Sequence, residues 1–156
     1  MATALSQHGR PAAARGYRRL LVPLAGGSES VRAVETACSL AAEHGAELTV
    51  VCVIEVPTLL PLDARMDEDE AVARKAFHQA EVIADSFGIH LRGRKVRARE
   101  AGTAIVELAE ELGAEVVVIA APRKRRAYGR SRLGSTVRQV LAKAPCPVLV
   151  ASPPPA

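Results

Sequence analysis

Two stretches of this sequence, Leu48 to Val56 (LTVVCVIEV) and Val116 to Ala121 (VVVIAA), are almost continuously apolar over the length of one strand and rich in β-branched residues. A strand with one wet face alternates apolar and polar side chains. An unbroken apolar run has both faces covered, as in the centre of a parallel sheet sandwiched between helices. The chain between and around these two runs must therefore supply crossover helices on both sides.

It does. Arg19 to Leu24 (RLLVPL) reads as a first strand, followed by Ala25, Gly26 and Gly27 and then Ser28, a good helix cap. Val31, Val34, Cys38 and Ala41 recur at helical spacing, predicting a helix over about Glu29 to His44, with Gly45 where a left-handed C-terminal cap is wanted. After Leu48 to Val56, the segment Pro57 to Met66 has two prolines and no period; it is a loop that could act as a lid. Asp67 and Glu70 are spaced as a capping box before a helix over about Glu68 to Phe87, ended by Gly88.

Ile89 to Arg99 alternates basic with other residues, which suits a half-exposed edge strand guarded by charge. Gly102 and Thr103 open a helix with the apolar stripe Ile105, Leu108, Ala109 and Leu112, closed by Gly113. Strand four, Val116 to Ala121, precedes a last helix over about Ser135 to Lys143. Pro147 then leads into the short strand Val148 to Ala151. The alternation of five strands with four helices predicts an α/β, three-layer, doubly wound parallel sheet with right-handed crossovers. In such sheets ligands bind beyond the carboxyl ends of the strands, where the winding reverses.

The segment after strand four draws attention to that end of the sheet. It carries Arg123, Lys124, Arg125, Arg126, Arg130 and Arg132 and finishes at Gly134 and Ser135, before the helical pattern Val137, Val140, Leu141, Ala144. Unpaired N–H groups and the positive dipole end at such a helix start favour an anion. Ser135 also has a plainer reading, as the cap of its helix.

At 156 residues the chain fits one domain, large enough to bury about two thirds of its unfolded surface. Residues 1–17, rich in Ala, Gly and Arg, read as a loose tail, residues 18–152 as the domain and 153–156 as a proline-rich end. The net charge of +4 is modest but uneven, basic near the start and over Arg123 to Arg132, acidic over Asp63 to Glu70. The three cysteines, Cys38, Cys52 and Cys146, are far apart with no CxxC pair, so neither a disulfide framework nor a metal site is expected, and a reducing cytoplasm is the natural setting. The apolar runs are too short to span a membrane.

From Arg18 to Ser152 the chain resembles the universal stress protein family. RLLVPLAGGSESVRAV, ELTVVCVIEVP, GAEVVVIAAP and LGSTVRQVLAKAPCPVLVAS carry the likeness. The resemblance implies strand order 3-2-1-4-5, with an adenine-nucleotide alpha-hydrolase-like fold. It also implies a cytoplasmic homodimer joined through the last strand, Val148 to Ala151, and, in one branch, ATP at the switch point. That branch has two glycines separated by two residues, then nine residues, then Gly-Ser or Gly-Thr. The final pair stands here as Gly134 and Ser135, whereas Ala121 and Lys124 occupy the places of the two glycines and Ala25 that of a nucleoside-binding Asp. Carried over, the nucleotide- or anion-binding positions are Leu24, Ala25, Gly26, Val53, Ala121, Lys124, Gly134, Ser135, Thr136 and Val137.

The expectation is a non-catalytic stress-response protein that binds ATP or another adenine nucleotide, weakly or in altered form, or another anionic ligand. The alternative is an interaction module acting on a protein partner. Nucleic acid is disfavoured, since Tyr128 is the lone aromatic in the basic stretch and no recognition motif is present. Catalysis is disfavoured because His8, His44, His78 and His90 lie next to no evident nucleophile.

Overall fold

The computed structural model describes residues 17–25, 28–122 and 134–152. Five strands, β1 (Arg19–Leu24), β2 (Glu47–Glu55), β3 (Leu91–Ala98), β4 (Val116–Ala120) and β5 (Val148–Ala151), form one all-parallel sheet in the order β3-β2-β1-β4-β5. Four helices connect them: α1 (Ser28–His44), α2 (Asp67–Ser86), α3 (Ala101–Leu112) and α4 (Ser135–Lys143). The doubly wound order and every element expected from the sequence are present, with β1, α4 and β5 unchanged and the other ends displaced by at most two residues.

The sheet separates two apolar cores. On one side Leu20, Val22, Val50, Cys52 and Val118 pack against α1 and against an alanine stripe of α2, Ala73, Ala76, Ala80 and Ala84. On the other, Leu21, Val51, Val117 and Ile119 meet Ile105, Leu108 and Ala109 of α3 and Val137 and Val140 of α4. Successive residues of one strand thus go to opposite cores, which explains why β1, β2 and β4 are apolar without a break. The large aromatics are few, and alanine lets α2 lie close to β2.

The turns follow glycine chemistry. Gly45, Gly88 and Gly113 lie just after α1, α2 and α3 with φ of 64°, 70° and 62°, the left-handed region open to glycine at little cost. The helix starts differ from the sequence reading. Ser135 does not cap α4: Gly134 holds the cap position, and Ser135 is the first helical residue. Asp67 and Glu70 form no capping box, because α2 begins at Asp67 after Met66 and has no side-chain cap. Glu70 turns instead to the neighbouring strand, accepting hydrogen bonds from Lys95 Nζ at 2.6 Å and Arg97 Nη2 at 2.9 Å. Charged donors outcompete a neutral amide for a carboxylate.

β3 is the charged edge strand anticipated, and Arg97 within it and Arg99 just after it organise the long loop before α2. Arg97 donates to the carbonyls of Leu62 and Ala64, and Arg99 to those of Val56, Pro57 and Leu60. The expected tail residues 1–16, the basic stretch 123–133 and the proline end 153–156 lie outside the described residues. Tyr17 is described, and its ring meets that of His44 edge-on at 6.3 Å.

Candidate functional site

The β1–β4 ladder stops at Leu21 and Val117, two residues before Pro23, which has no N–H with which to extend it. The β1–β2 ladder continues to Leu24 and Cys52. Beyond Leu21 the two central strands therefore part, and a cavity of about 610 Å³ opens over the carboxyl end of the sheet. Its volume lies within the range of small-molecule sites.

Of the positions expected from the sequence, Leu24, Ala25, Val53, Gly134, Ser135, Thr136 and Val137 all line this cavity. They come from β1, β2 and α4, far apart in the chain, and the switch point brings them together. Ala121 is not in the wall, although Ala120 and Pro122 on either side of it are. Its N–H donates to the carbonyl of Ala151 at 2.9 Å and so serves the β4–β5 pairing. Gly26 and Lys124 lie outside the described residues.

The α4 terminus is shaped to present its amides. Gly134 is extended, with φ −67° and ψ 164°, and no side chain caps the helix. Its carbonyl takes the first helical bond, from the N–H of Arg138 at 3.0 Å. The amides of Ser135, Thr136 and Val137 consequently have no partner within the helix. Gly134 packs tightly, since a Cβ there would stand 3.2 Å from Pro122 Cγ. Further along, Gln139 Nε2 donates to Thr103 Oγ1 at 2.7 Å and ties α4 to α3. The β1 turn is fixed too, by the Ala25 N–H donating to Ser30 Oγ at 2.9 Å.

The sequence reading missed the other walls. Ala101 and Ile105 of α3 contribute on one side, and Cys52, Val72, Ala73 and Ala76 on the other. Helix phase relative to the sheet decides these, and no local motif marks it. Three carboxylates, Glu29, Glu55 and Asp69, also reach the cavity, and among the described lining residues no Lys, Arg or His does. Cys52 is buried in the wall, its thiol pushed up to about 11 by that burial, so it is a neutral surface at physiological pH. Among the described residues no group of three His, Cys, Asp or Glu could hold a metal ion. No helix among them is long and apolar enough to cross a membrane. The loop at 57–66 contributes nothing to the cavity wall.

A universal stress protein family model matches residues 16–152. The chain belongs to the universal stress protein family. Universal stress protein MJ0531 of Methanocaldococcus jannaschii is 26% identical over 144 residues, spanning 88% of this chain and 84% of that protein. Among solved structures, a universal stress protein from Archaeoglobus fulgidus is 25% identical with a TM-score of 0.71, over 86% of this chain and 98% of that one. A universal stress protein in complex with cAMP is likewise 25% identical, with a TM-score of 0.73, over 89% of this chain and 99% of the other.

Proposed function

We propose that this universal stress protein is a non-catalytic stress-response protein of the cytoplasm that binds an adenine nucleotide at the switch point. The phosphate lies on the amides of Ser135 and Thr136 and the base lies beside Val53. The observation that carries this reading is the uncapped α4 terminus opening into a largely apolar cavity of about 610 Å³. The α4 first turn holds no carboxylate, whereas α1 begins with Glu29 and α2 with Asp67, Glu68, Asp69 and Glu70. Like α4, α3 has none in its first turn but has Glu100 at its cap position, so α4 alone of the four starts has no carboxylate at either place and offers an unopposed positive dipole end to an anion. The relative that forms a complex with cAMP supports the same ligand class.

Ala25 supplies no carboxylate for a sugar hydroxyl, and the carboxylates in the wall repel a highly charged ligand. The first weakens every adenosine nucleotide alike, and the second makes ATP bind more weakly than cyclic or monophosphate nucleotides. Isothermal titration with cAMP, AMP, ADP and ATP tests this: saturable heat with cAMP or AMP is expected, and no heat with any of them at millimolar concentration defeats the nucleotide reading.

The protein acts as a homodimer through β5. Both sheet edges leave backbone groups unpaired, but β3 is guarded by Arg92, Arg94, Lys95 and Arg97, whereas β5 reads VLVA with Leu149 exposed. An uncharged edge pairs with another strand, and a second copy supplies one.

A protein partner is the alternative role. The arginine-held loop favours it, displaying Leu59 at 97% exposure beside Leu60 and Leu62.

A further inference from the structure

A second recess opens at the opposite end of the sheet, where β2 and β3 begin. Its volume is about 470 Å³, within the range of small-molecule sites, and it shares no residue with the cavity at the switch point. Ala41 and Leu48 form a buried floor, and the chain at the ends of α1 and α2 forms the walls. Both helices stop here at left-handed glycines, Gly45 and Gly88, and a Cβ on either would meet nothing within 4 Å. Small residues thus keep the space open among the described residues. It lies at the sheet edge remote from β5, so pairing of two copies through β5 leaves it accessible.

An exposed aromatic ring and a loose pair of opposite charges border this space. Of the two phenylalanines, Phe77 packs against the core under α1 and α2, whereas Phe87 is 39% exposed in the wall of the recess, near Ile89. Arg92 Nη2 and Glu47 Oε1 stand 3.9 Å apart, beyond hydrogen-bond distance. Among the described residues neither side chain makes a hydrogen bond. The last turn of α2 carries no base, so the negative end of its dipole meets the rim uncompensated. A loose surface pair accounts for the two charges. It does not account for an apolar recess and an exposed phenyl ring in the same wall.

We propose that this recess binds a free α-amino acid with an apolar side chain. That side chain lies against Phe87, Ile89 and Leu48, the carboxylate takes the guanidinium fork of Arg92, and the ammonium lies between Glu47 and the carbonyl end of α2. A zwitterion suits the site because it replaces one loose ion pair with two charge-assisted, hydrogen-bonded ones. An acid alone leaves Glu47 and the helix end unmatched, and an amine alone leaves Arg92 so.

The test is a titration of the full chain with L-phenylalanine, followed through the amide resonances of Gly45, Gly88 and Ile89. Phenylpropionate, which lacks the ammonium, and phenethylamine, which lacks the carboxylate, are the comparisons. Saturable shifts with phenylalanine are expected, with affinity about tenfold lower for either comparison and about tenfold lower for phenylalanine after Arg92→Gln or Glu47→Gln. Both variants alter exposed side chains, so each keeps the fold. Absent saturable shifts at these residues, equal affinity for either comparison, or unchanged affinity in either variant would overturn the proposal.

Discussion

Gly134 has backbone angles that any residue before proline adopts, φ −67° and ψ 164°, so the position after it can be made proline without bending the chain. Proline is also tolerated at a helix's first position, where the amide has no helical partner. Ser135→Pro therefore deletes one donor from the proposed phosphate site and leaves α4 intact. Its expected effect is a ten- to hundredfold loss of cAMP affinity by calorimetry, from about 1.5–3 kcal/mol for a bond to a charged group, with the melting temperature unchanged.

Gly102 makes the converse case. A Cβ there runs into the Gln139 side chain. Gly102→Ala is expected to cost about 1–3 kcal/mol in denaturant unfolding, largely recovered by adding Gln139→Ala. An undiminished stability in the single variant would show that α3 and α4 are not locked as described.

Glu70 carries a pH dependence. Hydrogen bonds from Lys95 and then Arg97 hold its carboxyl below the usual carboxylate range. With the folded-state pKa depressed, its stabilisation is complete above the unfolded value of about 4.3 and is lost as pH falls through the lower folded value. Melting temperatures of the native chain and Glu70→Gln should accordingly converge on acidification below about pH 4.3 and separate above it. A constant difference would place Glu70 outside the network.

At the level of elements, the two ends of the helices differ in how plainly the sequence marks them. The three C-terminal glycines were legible because a left-handed residue leaves glycine with little competition. A Cβ at Gly88 would meet nothing within 4 Å, so Gly88→Ala suffers backbone strain alone. A loss of about 1–2 kcal/mol is expected in chemical denaturation, with α2 otherwise intact. Helix starts were less legible. Gly134 and Ser135 are both acceptable cap residues, and that one-residue ambiguity decides whether a hydroxyl is spent on capping the helix's own amides. The Asp67 to Glu70 spacing was misleading because β3, distant in sequence, brings stronger donors to Glu70. The basic alternation of β3, by contrast, marked an edge strand correctly, since no covered strand can carry that many charges. A Cβ on Gly93 in that strand would stand 3.3 Å from the Phe77 ring, a close approach the alternation alone did not reveal.

For the whole molecule, the parallel sheet and its two helical layers were legible because unbroken apolar strands and intervening amphipathic helices admit few arrangements, whereas the strand order was implied by the family resemblance. Seven of the ten expected site positions meet at one cavity for the same reason: the switch point is a property of topology. The carboxylates Glu29 and Asp69 were not legible, since two helices must be docked on the sheet before their first turns converge.

Assembly is also decided at this scale. If β5 joins two copies, Leu149→Lys places like charges along the shared edge, and sedimentation should show a dimer for the native chain and a monomer for the variant. A native monomer at high concentration would leave β5 as a bare edge and refute the interface.

The most direct test of the central claim is a crystal structure of the protein grown with cAMP. The expected result is phosphate oxygens within hydrogen-bond distance of the Ser135 and Thr136 amides, with the base beside Val53. Nucleotide bound elsewhere, or the α4 start closed over by the protein's own side chains, would contradict it.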